Sequence, residues 1–464
     1  MIENNDFLFK QITEKIAETD FSGYTIQYPP LFIWNDAISN KEILEAWKKL
    51  ISVGPKYLGL YIHIPFCKQR CFYCRYFSVE LQKRSDLKIY LLALKKEIKI
   101  YGRIFYNTPI RSVYFGGGSP SLLDIGQLDD LFGHLYKNFN LSQCRQIAFE
   151  GNPDFLDYKK LKILRIWGVN RLTIGVQTLD SEVIKAVNRY QSSNSFFNCF
   201  QSACDVGIKN INIDLMVGLP SQTIKSVMQT LETVIRLQPE MIHVHPFYPT
   251  NYSIFIQQGN RLSKADMDQR EKMALLSQQI IRRAGYRPIK FDADGKTEAA
   301  RNIQLSDAIE YNAPFLGLGA GAVSHVTNYV RYVNLNDINE YINKLSEGKL
   351  PIFSSCFLNE KDEMIYFVTA WLRYGEVDKS QFKKIFNQDL DKIFLKEIKY
   401  LVKRRKIKNT PDKIYSLMQN IGEYLVFSKY FYSQDVIDKC KKSLNWRDEK
   451  LKKISQEELR YMCL

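Results

Sequence analysis

Nowhere in this 464-residue chain does an apolar run approach the ~20 residues that a membrane-spanning helix needs. The opening Met1-Ile-Glu-Asn-Asn-Asp6 lacks the basic then apolar layout of a secretory leader. These two absences make the cytoplasm the expected compartment. The composition is not that of a disordered chain either, with 45% hydrophobic and 25% charged residues. No internal repeat and no long low-complexity linker breaks it up. Only one Cys-x2-Cys pair occurs, so a closed zinc site built from two such pairs has no second half.

Acidic charge is in short supply: 65 Lys and Arg against 50 Asp and Glu leave a formal net charge of +15. That balance favours anionic partners without choosing among nucleic acid, a membrane surface and a polycarboxylate small molecule. The densest basic run, Lys403-Arg404-Arg405-Lys406 with Lys408, reads first as a solvated helix end. No interleaving of aromatic and basic residues marks a nucleic-acid-binding module. The length suggests more than one structural unit.

Nine cysteines are present, and three fall within one short stretch, Tyr61-Ile-His-Ile-Pro65-Phe-Cys67-Lys-Gln-Arg-Cys71-Phe-Tyr-Cys74. Thiolates are the usual protein ligands of iron–sulfur clusters, and three of them leave one iron of a 4Fe-4S cluster without a protein ligand, free to bind a cofactor. His63 sits inside an apparent strand, too close to serve as a fourth ligand. The remaining cysteines, Cys144, Cys199, Cys204, Cys356, Cys440 and Cys463, are scattered and read as small apolar residues.

From Tyr57 onward short β-branched runs alternate with amphipathic stretches, the pattern of parallel strands joined by crossover helices. Six such units are expected, with strands at Leu58–Ile64, Ser112–Phe115, Gln146–Glu150, Arg171–Gln177, Ile211–Val217 and Ile242–Phe247. Between the first two, Tyr90, Leu91, Leu94 and Ile98 recur at helical spacing. Six units predict an α/β fold, a partial (β/α)6 TIM-type barrel whose ligands gather at the C-terminal ends of the strands. The expected division is an N-terminal arm over 1–55, extended at Tyr24–Pro30; a core barrel over 56–290; a barrel-completing, substrate-side segment over 291–349; and a mainly helical C-terminal domain over 350–464.

The chemistry-bearing residues cluster where those strands end. Gly116, Gly117 and Gly118, followed by Ser119, let the backbone approach a ligand, and without a Lys-Ser or Lys-Thr pair they are no nucleotide P-loop. Glu150, Gln177 and Asp214 each put one polar or acidic group into an otherwise apolar strand, costly unless it is paired. A buried structural network would account for any one of them; three in succession point to a shared polar ligand. Arg189 adds a fixed cation suited to a carboxylate.

Cys67-x3-Cys71-x2-Cys74, with Gly117-Gly118-Ser119-Pro120, Glu150-x-Asn152-Pro153, Gly175-Val-Gln177 and Asp214-x3-Gly218-Leu-Pro220, resembles the radical S-adenosylmethionine (radical SAM) enzymes. More narrowly it is similar to their oxygen-independent coproporphyrinogen III oxidase-like branch. Tyr24-Thr-Ile-Gln-Tyr28-Pro-Pro30 and Val187-Asn-Arg-Tyr-Gln191 resemble elements of the oxidase, and Met364–Leu372 with the helices to about Tyr432 resembles the family's helical cap. The resemblance spans about residues 20–460. It implies a [4Fe-4S] cluster on Cys67, Cys71 and Cys74, with S-adenosyl-L-methionine chelated to the open iron and cleaved by one electron to a 5′-deoxyadenosyl radical. Tyr61, Tyr73, Gly117, Gly118 and Ser119 fall at implied cofactor contacts. So do Glu150, Gln177, Arg189 and Asp214, with Tyr248 and Val323 at less specific pocket positions. The implied reaction is oxidative decarboxylation of an anionic tetrapyrrole, the electron coming from a flavodoxin or ferredoxin, in a chain expected to be monomeric.

Departures from the oxidase pattern bear on the substrate. Tyr76 stands where the oxidase has one more cysteine, Pro246-Phe-Tyr-Pro-Thr-Asn-Tyr lacks the Glu-Pro-Gly-Thr turn typical of the family's haem-chaperone cousins, and Asp292-Ala-Asp-Gly-Lys296-Thr-Glu-Ala-Ala-Arg301 matches neither pattern. Two alternatives stay open on these grounds: methyl transfer by the related class that binds two cofactor molecules, and a haem chaperone with His325, His243 or His245 as axial ligand.

Overall fold

The computed structural model describes residues 5–19, 28–192, 194–251, 253–418 and 421–444. The expected extended break at 24–30 falls mainly outside them, as do Tyr252, Cys463 and the last part of the expected C-terminal domain, 445–464. Six parallel strands form the centre: β1 (Gly59–Ile64), β2 (Ser112–Gly117), β3 (Gln146–Gly151), β4 (Arg171–Gln177), β5 (Asn210–Val217) and β6 (Met241–Pro246). They pair side by side in chain order. Helices Arg84–Phe105, Ile125–Asn138, Tyr158–Ile166, Ser195–Asp205 and Ile224–Arg236 fill the crossovers. The first buries Tyr90, Leu91, Leu94 and Ile98. Asp124, Asp157 and Thr223 start three of these helices by accepting the backbone N–H of Gln127, Lys160 and Ser226, donors that the first turn leaves without a partner. The expected partial (β/α)6 barrel is present, its strands beginning and ending close to the expected residues.

The sheet runs on past the six strands. On the β1 side, β7 (Phe315–Leu318) adds in parallel, followed by antiparallel β8 (Val323–Val326), β9 (Val330–Asn334) and β10 (Ile352–Phe357). On the β6 side, Asp294–Gly295 and Arg287–Pro288 add two short antiparallel strands. The glycines around 317–321, which suggest a loop, serve close packing instead. A Cβ on Gly317 would overlap the Val323 carbonyl oxygen, and one on Gly319 would lie 2.5 Å from that of His63. The periodicity of strands is hidden there because the residue that lets backbones touch is also the residue of turns.

Two apolar cores result. The first lies between the sheet and its helices. The second gathers Phe9 and Ile12 from the N-terminal helix Asp6–Thr19, Tyr28 and Trp34, and Phe367, Trp371, Phe382 and Tyr430 from the C-terminal segment. The residues before the barrel are therefore shared out: helix Asp6–Thr19 packs with the C-terminal segment, while helix Asn40–Ser52 sends Trp47 into the first core, its indole N–H donating to the Tyr332 hydroxyl at 2.8 Å. The C-terminal segment is mainly helical but includes a three-stranded sheet, Glu376–Asp378, Lys413–Ser416 and Ile407–Asn409. Two members of the basic run are structural ties, Arg404 to Asp6 at 2.6 Å and Lys406 to Glu423 at 2.8 Å. No helix among the described residues is long and apolar enough to cross a membrane.

Candidate functional site

The cysteine loop leaves the C-terminal end of β1. Phe66–Cys67 pairs in parallel with Val79–Glu80, which closes the loop at its base, and the Cys74 N–H donates to the Cys71 carbonyl at 3.1 Å. Burial raises the Cys67 and Cys74 thiols, and repulsion from the sister thiolates raises them further. Three thiolates gathered on one half-buried loop repel one another unless a cationic partner offsets them, which is what an iron–sulfur cluster supplies. The donor set therefore fits such a cluster. Among the described residues, Cys144, Cys199, Cys204, Cys356 and Cys440 lie on other elements.

Arg189 ties this loop to the barrel. Its Nη1 lies 3.0 Å from the Tyr73 hydroxyl and 3.8 Å from Cys71 Sγ, and its Nη2 donates to the carbonyl of Gly175 on β4. The Gln191 side chain accepts from Arg189 Nε at 2.8 Å and donates to the Thr178 carbonyl at 3.0 Å. Asn188, in a left-handed conformation at φ 52°, donates from Nδ2 to the Arg70 carbonyl at 3.0 Å, and the Phe72 N–H donates to the Val187 carbonyl at 3.0 Å. Val187, Asn188 and Arg189 thus hold the loop, and Gln191 holds Arg189. Gln177 ends β4 at φ 67°, beside a register shift, and its amide folds back over Gly175.

The glycine triplet meets the same loop from the other side. A Cβ on Gly118 would sit 2.8 Å from the Pro65 and Phe66 carbonyl oxygens, and Gly117, at φ 114°, would press on His63 and the Ile64 carbonyl at 2.9 Å. The Gly118 N–H donates to the Ile64 carbonyl at 2.8 Å. Ser119 is buried with its hydroxyl 3.3 Å from that of Ser121.

Inside the barrel a polar layer crosses the strands. The Tyr61 hydroxyl pairs with His63 Nδ1 at 3.0 Å, and the Tyr61 and Tyr114 rings lie 6.2 Å apart. The Tyr114 hydroxyl donates to Glu150 Oε1. Burial lifts the Glu150 carboxyl to about 7, with the Tyr114 hydrogen bond opposing. Asn212 Nδ2 donates to Asp214 Oδ1 at 2.7 Å, and His245 Nε2 is 3.8 Å from the same oxygen. Burial works against the Asp214 charge, yet His245 and Asn212 hold its carboxyl below the usual range. Tyr76 stands exposed with its phenol toward the Glu150 and Asp214 charges.

The structure thus brings the cysteines, Tyr73, Arg189, Gln177, Gly117 and Gly118 to one end of the barrel, with Tyr61, Glu150 and Asp214 lining the interior behind them. Tyr248 lies outside this set, its ring under the Arg270 guanidinium at 4.2 Å, and Val323 is buried in the second core. His325 is sealed: it has no exposed surface and its Nε2 lies 2.9 Å from Glu363 Oε1, so it offers no axial position to a haem. Tyr114 and Asn212 join this polar layer without being expected there, and so does His63, whose strand position excluded it only as a cluster ligand. Their signal is the alternation of polar with apolar residues inside β1, β2 and β5.

The Radical SAM superfamily profile matches residues 61–234. The chain is 31% identical over 368 residues to the oxygen-independent coproporphyrinogen III oxidase of Pseudomonas aeruginosa, covering 75% of this chain and 79% of that one. It is 28% identical over 359 residues to the heme chaperone HemW of Bacillus subtilis, covering 76% and 94%. Among solved structures, coproporphyrinogen III oxidase from Escherichia coli superposes with a TM-score of 0.75 at 23% identity, over 88% of this chain and 97% of the other, a likeness of fold.

Proposed function

Because this chain belongs to the radical SAM superfamily, in its oxygen-independent coproporphyrinogen III oxidase-like family, we propose that it removes hydrogen from the propionate side chains of an anionic tetrapyrrole of the coproporphyrinogen kind, with loss of carbon dioxide. The family works with a [4Fe-4S] cluster and S-adenosyl-L-methionine, which together supply a carbon-centred radical able to take a hydrogen atom. Cys67, Cys71 and Cys74 are the proposed cluster ligands. Gly117, Gly118 and Ser119 would offer backbone to the methionine end, Tyr73 would flank the adenine, and Tyr61, Glu150, Gln177, Arg189 and Asp214 would take the polar groups. Tyr248 and Val323 are the weaker members of the set, for the reason their placement gives.

One observation carries this reading: Arg189 spans Cys71, Tyr73 and the Gly175 carbonyl, so the cysteine loop and the strand ends form one rigid frame. The net charge of +15 suits a polycarboxylate substrate. The segment after residue 350 would act as a cap that keeps solvent from the radical. A flavodoxin or ferredoxin is the proposed electron donor, and a cytoplasmic monomer the proposed state.

The test is anaerobic reconstitution followed by incubation with reductant, cofactor and coproporphyrinogen III. Mass spectrometry is expected to find 5′-deoxyadenosine together with tetrapyrrole lighter by carbon dioxide and two hydrogens for each propionate converted, one hydrogen atom passing to the radical and one proton and one electron leaving, the electron to an added acceptor. Deoxyadenosine without decarboxylation would remove the substrate assignment and keep the radical chemistry. Cys71→Ala is expected to abolish both the cluster's visible absorbance and cofactor cleavage, and persistence of both would remove the cluster assignment. The likeness to the HemW chaperone, at 94% of that protein's length, supports a second reading, haem binding through His243 or His245. A Soret band on haem titration that disappears in His245→Ala, with no cofactor turnover, would favour it.

A further inference from the structure

His243 and His245, which the radical reading does not use, lie on the strand beside Asp214, one of its proposed cofactor contacts. β5 and β6 pair in parallel with Asp214 opposite His243 and Met216 opposite His245, so alternate residues bring all three polar side chains to the same face, the barrel interior. One ligand atom from each of Asp214, His243 and His245 lies within 4.8 Å of the other two, and among the described residues this is the one such trio of His, Cys, Asp or Glu. The two imidazoles lie face to face, centroids 3.7 Å apart and planes 34° from parallel.

The other three histidines each have a short hydrogen-bond partner. His63 bonds Tyr61 and the Phe77 carbonyl, His134 the Lys95 carbonyl, and His325 Glu363. His243, by contrast, makes no hydrogen bond among the described residues, and His245 has only Asp214 at 3.8 Å. Both rings are only partly buried, and no short hydrogen bond from the protein occupies their nitrogens. A divalent ion would serve both at once.

We propose that Asp214, His243 and His245 bind a single divalent transition-metal ion of the borderline class, Zn2+ or Fe2+. Two imidazoles and one carboxylate are a donor set for those ions, and three protein ligands leave a coordination position open. The His245 side chain is 37% exposed, so that position faces the barrel interior, where a water or a substrate carboxylate would complete the shell. Asn212 supplies the outer layer: its amide fixes Asp214 Oδ1 at 2.7 Å and is itself 3.4 Å from the Thr173 hydroxyl. The contacts of Asp214 fall on Oδ1, which leaves Oδ2 for the proposed cofactor contact. Arg171 and Arg373 bring positive charge towards His243; Arg171 is held 3.9 Å from Asp292, and the Asp214 and Glu150 carboxylates balance the ion. This site goes beyond the radical reading and shares only Asp214 with it.

Zinc is the probe. The cluster-reconstituted protein, equilibrated with Zn2+ and freed of excess by gel filtration, is expected to hold one zinc per chain by mass spectrometry of the metals. His243→Ala and His245→Ala are each expected to lower zinc affinity by at least about 10–100-fold, the loss that an outer-layer partner alone can cause. Asn212→Ala is expected to weaken it by about tenfold. Cys71→Ala is expected to keep the zinc while losing the cluster, so failure of one site is read separately from failure of the other. X-ray absorption on the unmutated protein gives a check that needs no variant: a shell of nitrogen and oxygen at about 2.0–2.1 Å, not sulfur at about 2.3 Å. Zinc retained by both histidine variants, a sulfur shell, or no zinc retained at all overturns the proposal.

Discussion

At the scale of single residues, Glu150 is the group whose protonation the fold alters most usefully. Burial raises its carboxyl to about 7, so between the ordinary carboxylate range near 4 and pH 7 the folded chain holds a proton that the unfolded chain releases. Stability contributed by this site is present at low pH and is lost as pH rises through about 7. Glu150→Gln, which keeps an acceptor for the Tyr114 hydroxyl, is expected to stabilise the cofactor-free protein by roughly 1–3 kcal/mol at pH 8, with the gain shrinking towards zero near pH 4. Urea titrations of both proteins across that range check it, and an equal difference at every pH would show that the buried charge is not the cause. The same substitution is expected to weaken cofactor binding, because the carboxylate is a proposed contact.

Among elements, the junction of the glycine triplet with the cysteine loop is the sensitive one. A methyl group at Gly118 meets backbone of Pro65 and Phe66, immediately before Cys67, and backbone cannot swing aside as a side chain can. Gly118→Ala is expected to cost about 1–3 kcal/mol of stability by overpacking and to lower iron loading after reconstitution. Gly126→Ala, on an open helix face with its nearest neighbour at 3.5 Å, is the control, expected to be neutral or to stabilise by up to about 1 kcal/mol. The six barrel strands were legible in the sequence because each is a short apolar run with polar residues at alternate positions, and the site residues at their ends were legible for the same reason. What escaped was made by contacts distant in the chain. β7 is disguised by a glycine whose role appears only when Gly317 lies against Val323, and the grip of Asn188 and Arg189 on the cysteine loop depends on two turns brought together by the barrel. The sealing of His325 by Glu363, 38 residues later, likewise has no local signal.

For the whole molecule, Glu363 joins the sheet extension to the C-terminal segment. Although burial opposes its charge, His325, Arg331 and the Asn328 N–H hold its carboxyl down to about 2. Burial keeps His325 neutral, so it donates a hydrogen bond, while Arg331, 3.8 Å from Glu363, carries the countercharge. A carboxyl held this low adds stability above the ordinary range near 4 and loses it as pH falls towards 2. Glu363→Ala strands the Arg331 cation and is expected to cost about 3–5 kcal/mol, measured as a lower denaturation midpoint at pH 7. The deficit is expected to narrow below pH 4, and a deficit independent of pH would assign it to packing alone.

The meeting of helix Asp6–Thr19 with Arg404 and Tyr430 sets an order of events during synthesis. Asp6 accepts from the Tyr430 hydroxyl and from Arg404, both at 2.6 Å, and Phe9 packs edge-on against Tyr430 at 4.7 Å. Helix Asp6–Thr19 leaves a ribosome before its partners, which lie some four hundred positions later. At about 5–20 residues per second, its apolar face waits roughly 20–80 s for them. The barrel between can close in that interval, so the nascent protein passes through a stage with a finished centre and an unsheltered leading helix, the stage at which a chaperone would have something to hold.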